Sequence, residues 1–200
     1  MGNAITKRKI QAMNTKYRIF NTAVELINKN GYDNVSVDEI CKGAGISVGC
    51  FYHHFKNKDD IIVESFKKID EYFEDKAPHV LKCTNALDRI ILYFSYFGQY
   101  VNDQGIDFTS QLVKSELSSN KKFTIDTNRS IFKILQKIVI EGQINNQIRN
   151  DLTAEKTAGV LLRYARGIAL NWCINKGIYN LEKEIVESFE LFVISLKPMC

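Results

Sequence analysis

The stretch from Val35 to Phe55, VSVDEICKGAGISVGCFYHHF, limits what this chain can become more than any other. Ser36 followed three residues later by Glu39 is a capping box, the start signal of a helix. Val37, Ile40, Cys41 and Ala44 then fall three or four apart and give that helix one apolar face. Gly43-Ala44-Gly45 stops it, because glycine accepts the left-handed backbone a helix end requires. Ser47 caps a second helix, whose Val48, Phe51 and Phe55 are expected to turn inward. Gly49, Cys50, His53 and His54 remain outside, with Tyr52 at the margin. Two short helices joined by a tight turn, the second anchored on one side and bare on the other, have the form that enters a DNA major groove.

Charge distribution agrees. Residues 1–58 carry nine Lys/Arg against four Asp/Glu, whereas residues 59–200 carry eighteen against nineteen. The basic excess therefore sits where the helix-turn-helix pattern sits, at 36–55, and the remainder is close to neutral. This divides the chain into a DNA-binding domain, 1–58, and a second domain, 59–200, for ligand binding and dimerisation.

Ahead of the reading pair, Ile10, Met13, Tyr17, Phe20, Val24 and Ile27 repeat at helical spacing and predict a helix from about Ile10 to Asn28. Lys7, Arg8 and Lys9 precede it, either as a frayed basic tail or as groups reaching phosphates or an adjacent minor groove. After Phe55, Asn57 caps a fourth helix with Asp59 and Asp60 at its positive end. Its stripe is Ile62, Phe66, Ile69 and Phe73, and Pro78 is expected to break it. Further helices are predicted near 86–103, 107–119, 126–145, 154–176 and 181–196, so the fold is all-α throughout.

The helix near 86–103 is crowded with aromatics. These serve either as plain core or as walls of a cavity for an apolar ligand, lined by Tyr93, Phe97, Phe108 and Leu112, and the sequence leaves both open. Near the end, Ala158, Leu162, Ala165, Ala169 and Trp172 repeat along one helix. Val186, Phe189, Val193 and Leu196, with Leu181, Ile185, Ser188 and Phe192, give the last helix two apolar stripes. Such a helix has two sides to bury, so the two C-terminal helices are expected to pair with a second copy as a homodimer.

Cysteines 41, 50, 83, 173 and 200 are odd in number and scattered, which argues against structural disulfides or zinc and for a reducing, cytoplasmic home. No apolar run reaches the roughly 18 residues of a membrane span. Met1-Gly2-Asn3-Ala4-Ile5-Thr6 fits the loose N-myristoylation pattern, which so short a motif meets by accident. No catalytic constellation, metal-ligand spacing or cofactor loop is present, so neither a metal nor a cofactor is expected. His53-His54 makes a poor metal pair because neighbours on a helix point apart.

Gly31, Ser36-Val37, Ile40, Ala44-Gly45-Ile46-Ser47, Gly49, Phe51-Tyr52, His54-Phe55 and Lys58-Asp59 together resemble the N-terminal domain of the tetracycline-repressor-like (TetR) family. The match covers about the first 60 residues; beyond them only helix order fits, with Gly167, Trp172 and Gly177 similar to a loose C-terminal pattern. The resemblance implies a dimeric, all-helical transcriptional regulator, typically a repressor, whose second domain binds a small-molecule inducer. It assigns phosphate contacts to Ser36, Ser47, Tyr52 and Lys58, and base edges to Val48, Gly49, Cys50 and His53. Val37 replaces a frequent threonine, removing a phosphate contact, and Cys50 replaces a commoner Ser, Thr or Ala. Lys7 and Arg8 complete the DNA-facing set.

One reading helix, with about three base contacts at about 1–3 kcal/mol each, cannot select an operator, but two copies held in a dimer can. A palindromic site on double-stranded DNA is expected, with half-site centres about one turn apart or somewhat more. The competing expectations are a non-regulatory DNA-associated factor on the same scaffold, of the division or nucleoid type, and an all-helical enzyme.

Overall fold

The computed structural model describes residues 7–82, 85–118 and 123–198. The Met1–Thr6 pattern, Cys83 and Cys200 lie outside them. Among the described residues the chain forms nine α-helices and no strand: α1 (Lys7–Asn30), α2 (Val37–Ala44), α3 (Val48–His54), α4 (Lys58–Val80), α5 (Ala86–Gln104), α6 (Ile106–Ser118), α7 (Ser130–Ile144), α8 (Ala154–Ile174) and α9 (Leu181–Phe192). Short 3-10 turns occupy Phe123–Ile125 and Val193–Leu196.

Local chemistry sets these boundaries. Ser36 Oγ accepts from the Glu39 N–H at 3.2 Å while the Glu39 carboxylate accepts from the Ser36 N–H at 2.8 Å, closing the capping box that starts α2. Gly45 ends α2 at φ 61°, the left-handed conformation in which a Cβ would be strained. Asn57 accepts from the Asp60 N–H and opens α4.

Several boundaries depart from the sequence expectation. α1 begins at Lys7, so Lys7 and Arg8 form its exposed first turn instead of preceding it. Only the second half of its apolar stripe is buried; Ile10, Met13 and Tyr17 stay about half exposed, because the head core begins at Ile19. α4 does not stop before Pro78 but runs two residues past it. A proline in the last turn removes a single amide donor and leaves the earlier ladder intact. α7 starts at Ser130 instead of 126, and α9 gives way to a 3-10 turn at Val193.

Two apolar clusters result. The smaller joins α1, α2 and α3 to Ile61 and Ile62 of α4 and to Phe108 of α6. The larger unites α4, α5, α7, α8 and α9. α5 and α9 pack most extensively: the Phe94 and Phe189 rings stack at 3.9 Å, and a Cβ at Gly98 would lie 2.7 Å from the Glu182 backbone. Ala158, Leu162, Ala165, Ala169 and Trp172 are all buried within the protomer. Among the exposed residues of α8, Arg163, Gly167, Leu170 and Ile174 share one face, while Leu191 and Ile194 are exposed near the C-terminus.

Candidate nucleic-acid interface and interior cavity

α3 is fixed by its own ends. Ser47 Oγ accepts from the Cys50 N–H at 3.2 Å, and Phe51 and Phe55 are buried. Gly49 and His53 are exposed, Cys50 is half-buried, and Tyr52 stands 55% exposed with its ring edge-on to Phe51. Val48 was expected to turn inward and does not. It opens a helix of barely two turns whose inward contacts are made by Phe51, and it remains 41% exposed on the outer rim. Val37 is half-buried against the head core. His54 is half-buried; burial first, then His53 and Lys16, holds its imidazole below the ordinary value.

The hydroxyls of Ser36 and Ser47 both serve as helix caps, with Ser36 Oγ also donating to Glu39. Lys58 is no free cation. Its Nζ donates to the carbonyls of Tyr32 and Val35 at 2.6 and 2.7 Å and lies 4.0 Å from the Tyr32 ring centroid. Two of its three N–H donors therefore pin the α1–α2 connection to the start of α4, and one is left for an anion. Tyr32 in turn donates to Asp59. Burial, with that carboxylate beside it, pushes the Tyr32 phenol well up.

Below this head lies a cavity of about 250 Å³ between α4, α5, α6 and α8. Phe97, Phe108 and Leu112 line it, together with Phe66, Ile69 and Tyr100. Tyr93 does not: it is fully buried behind the wall, and its hydroxyl donates to the Ile131 carbonyl. An aromatic stripe on α5 cannot reveal which of its rings face the void and which face the core.

Sequence reasoning also missed the polar groups of this interior. Arg129 donates to Asp70 at 2.9 Å and to the carbonyls of Phe66 and Phe123, tying α4 to the start of α7. Arg166 lines the cavity with no hydrogen bond or ion pair among the described residues. Burial, then the nearby Arg129, brings its guanidinium down to about 10. Gln104 and Glu116 each keep one buried oxygen without a partner among the described residues. The available signal was Arg166 itself, a charge set four residues after Leu162 and three before Ala169.

Asn28, at the end of α1, was also overlooked. Its Nδ2 donates to the Gln104 carbonyl at 2.6 Å and its Oδ1 accepts from the Phe108 N–H at 3.2 Å, clamping the head onto the α5–α6 turn. Gly105 at that turn has φ 81°, and any Cβ there would meet Asn28 at 2.5 Å. No group of three His, Cys, Asp or Glu suited to a metal occurs among the described residues, and none of their helices is long and apolar enough to cross a membrane.

Residues 19–64 match the family model described as bacterial regulatory proteins, tetR family. The chain is 27% identical over 168 residues to the fatty acid metabolism regulator protein of Bacillus subtilis, covering 82% of this chain and 86% of that one. It is 29% identical over 155 residues to the transcriptional regulator QacR of Staphylococcus aureus, covering 71% and 78%. Its structure superposes on that of the transcriptional regulator FadR from Bacillus subtilis in complex with stearoyl-CoA with a TM-score of 0.70, at 26% identity, covering 88% and 97%. With a capped helix-turn-helix at the front and an all-helical, cavity-bearing body behind it, the chain carries the N-terminal domain of the tetR family of bacterial regulatory proteins and is similar over most of its length to transcriptional regulators.

Proposed function

We propose that this protein is a cytoplasmic repressor, held as a dimer on a palindromic operator and released when its cavity takes up a long acyl chain delivered as an acyl-CoA. The observation that carries the reading is the apolar cavity, whose walls include Phe66 and Ile69 of the helix leaving the head. Its 250 Å³ is below the roughly 300–1,000 Å³ usual for ligand sites, so a long chain must dilate it. Dilation works directly on α4 and, through Phe108, on the head core. A ligand shifts the equilibrium only by its differential affinity for the two states, and an enlarged cavity supplies that difference. The likeness to a stearoyl-CoA complex and to a fatty acid metabolism regulator favours this ligand class.

In this reading residues 1–58 form the DNA-binding domain and 59–200 the regulatory one. Tyr52 and the remaining donor of Lys58 reach phosphates, and the N-terminus of α3 at Ser47 favours an anion. Lys7 and Arg8 extend the same basic face from the first turn of α1. Val48, Gly49, Cys50 and His53 approach base edges. The dimer forms through α8 and α9, where Gly167 has no neighbour within 4 Å of a built Cβ and leaves room for a second helix.

Fluorescence anisotropy with DNA from upstream of the protein's own gene tests the reading, titrating lauroyl-CoA and stearoyl-CoA into the complex. Release at micromolar ligand supports it. Operator affinity unchanged at saturating acyl-CoA would refute it.

A further inference from the structure

A second cavity, of about 380 Å³, lies beside the first between the Phe123–Ile125 turn and the first turns of α8. Its lining is of another character: Lys156, Arg163 and Arg166 project from α8 beside Thr124, Thr127 and Thr153, opposed by the single carboxylate of Glu155. Thr124 and Arg166 line both cavities and form their common wall. Arg166 stands at that wall without a bonded partner among the described residues, and the unpaired Glu116 oxygen lies on the apolar side of it. Arg163 folds back along its own helix, with its Nη1 3.3 Å from where a Cβ of Gly159 would sit.

Resting on the reading above, we propose that this basic chamber is the subsite for the phosphate-bearing head of the ligand, with Lys156 and Arg163 at its outer side and Arg166 at the junction where head meets acyl chain. Three cations against one carboxylate in a walled recess suit an anion of several negative charges, and guanidinium groups suit phosphate oxygens in particular. A straight chain entering the first cavity needs no charged neighbour, so cations at its mouth are explained by a charged end left outside. Threonine hydroxyls of the same chamber supply neutral donors. The protein thereby distinguishes an activated, phosphorylated acyl thioester from the free fatty acid of the same length.

The test uses the full-length dimer on its operator, with stearoyl-CoA, stearate and CoA as separate probes. Wild type is expected to be released by stearoyl-CoA at a concentration at least ten-fold below that of stearate. Lys156→Ala/Arg163→Ala is expected to raise the half-release concentration of stearoyl-CoA about ten-fold or more and leave that of stearate within two-fold. Both substitutions fall outside the core, and a thermal melt matching wild type confirms a folded variant. Arg166→Lys, which keeps the charge but not the forked donors, is expected to give an intermediate shift. If wild type responds to stearoyl-CoA and the double variant responds equally, the head subsite is wrong while the acyl-chain reading stands. If neither acyl ligand releases wild type, that reading falls and the subsite with it.

Discussion

The rings of Phe20 and Phe108 meet edge to face with centroids 5.8 Å apart, although one belongs to the first helix of the head and the other to α6 of the body. Phe108 is fully buried in the head's apolar cluster and lines the interior cavity as well. One aromatic ring therefore belongs both to the core of the head and to the wall of the interior cavity.

Phe108→Ala is expected to cost about 3–5 kcal/mol, because it removes a buried ring shared by two packing units. Urea unfolding followed by circular dichroism measures this. A loss below 1 kcal/mol would mean that the two clusters do not depend on each other.

Asn28→Ala deletes the clamp between α1 and the α5–α6 turn and leaves the Phe108 N–H and Gln104 carbonyl without that partner. A stability loss of about 1–3 kcal/mol is expected. Coupling is the sharper readout: the ratio of ligand affinities with and without operator should move toward one, while ligand affinity of the free protein holds. Isothermal titration in both states decides it, and an unchanged ratio sinks the clamp as a coupling element.

Tyr52→Ala and Lys58→Ala should behave differently. Tyr52 is mostly exposed, so its loss is expected to weaken operator binding by about 1–2 kcal/mol with no change in melting temperature. Lys58 holds two carbonyls, so Lys58→Ala is expected to lower operator affinity and stability together. A variant as stable as wild type that still binds poorly would assign Lys58 to phosphate alone.

Glu39 carries a pH signature. Accepting from the Ser36 N–H and hydroxyl holds its carboxyl below the ordinary 4.5, so the unfolded chain takes up the proton more readily. Its contribution is complete above the unfolded value and is lost as pH falls through the folded one. The melting-temperature gap between wild type and Glu39→Gln is expected to be constant near neutrality and to close on acidification below 4.5. A gap that persists in acid would show that the capping box does not depend on charge.

Gly167→Glu tests the dimer. Nothing in the protomer meets a Cβ there, and an exposed helical glycine is itself worth about 1 kcal/mol less than alanine, so the monomer fold should survive. Sedimentation is expected to show monomers with operator affinity lost. Intact dimers would move the interface off α8.

The head was legible because its signals are local. Ser36 and Glu39, Ser47, Gly45 and Asn57 act within four residues of themselves, and each does in the structure what its position suggests. Val48 and the Ile10–Met13–Tyr17 stripe misled because periodicity marks an apolar face without saying whether anything lies against it. The cavity was legible only in part. Phe97 and Tyr93 sit four residues apart on α5, yet the first faces the void and the second bonds a carbonyl of α7. Nothing local separates them, since the difference lies in where α6 and α7 pass. Asn28 and Arg129 act on partners distant in sequence and were invisible for the same reason.

Where Gly98 lets α5 settle against the Glu182 backbone, the two helices meet main chain to main chain at that point, locked further by the stacked rings of Phe94 and Phe189. That seam is an anvil. In the proposed mechanism, a ligand forcing the cavity wider recoils from α5 and delivers its displacement to α4 and α6, the walls that lead to the head.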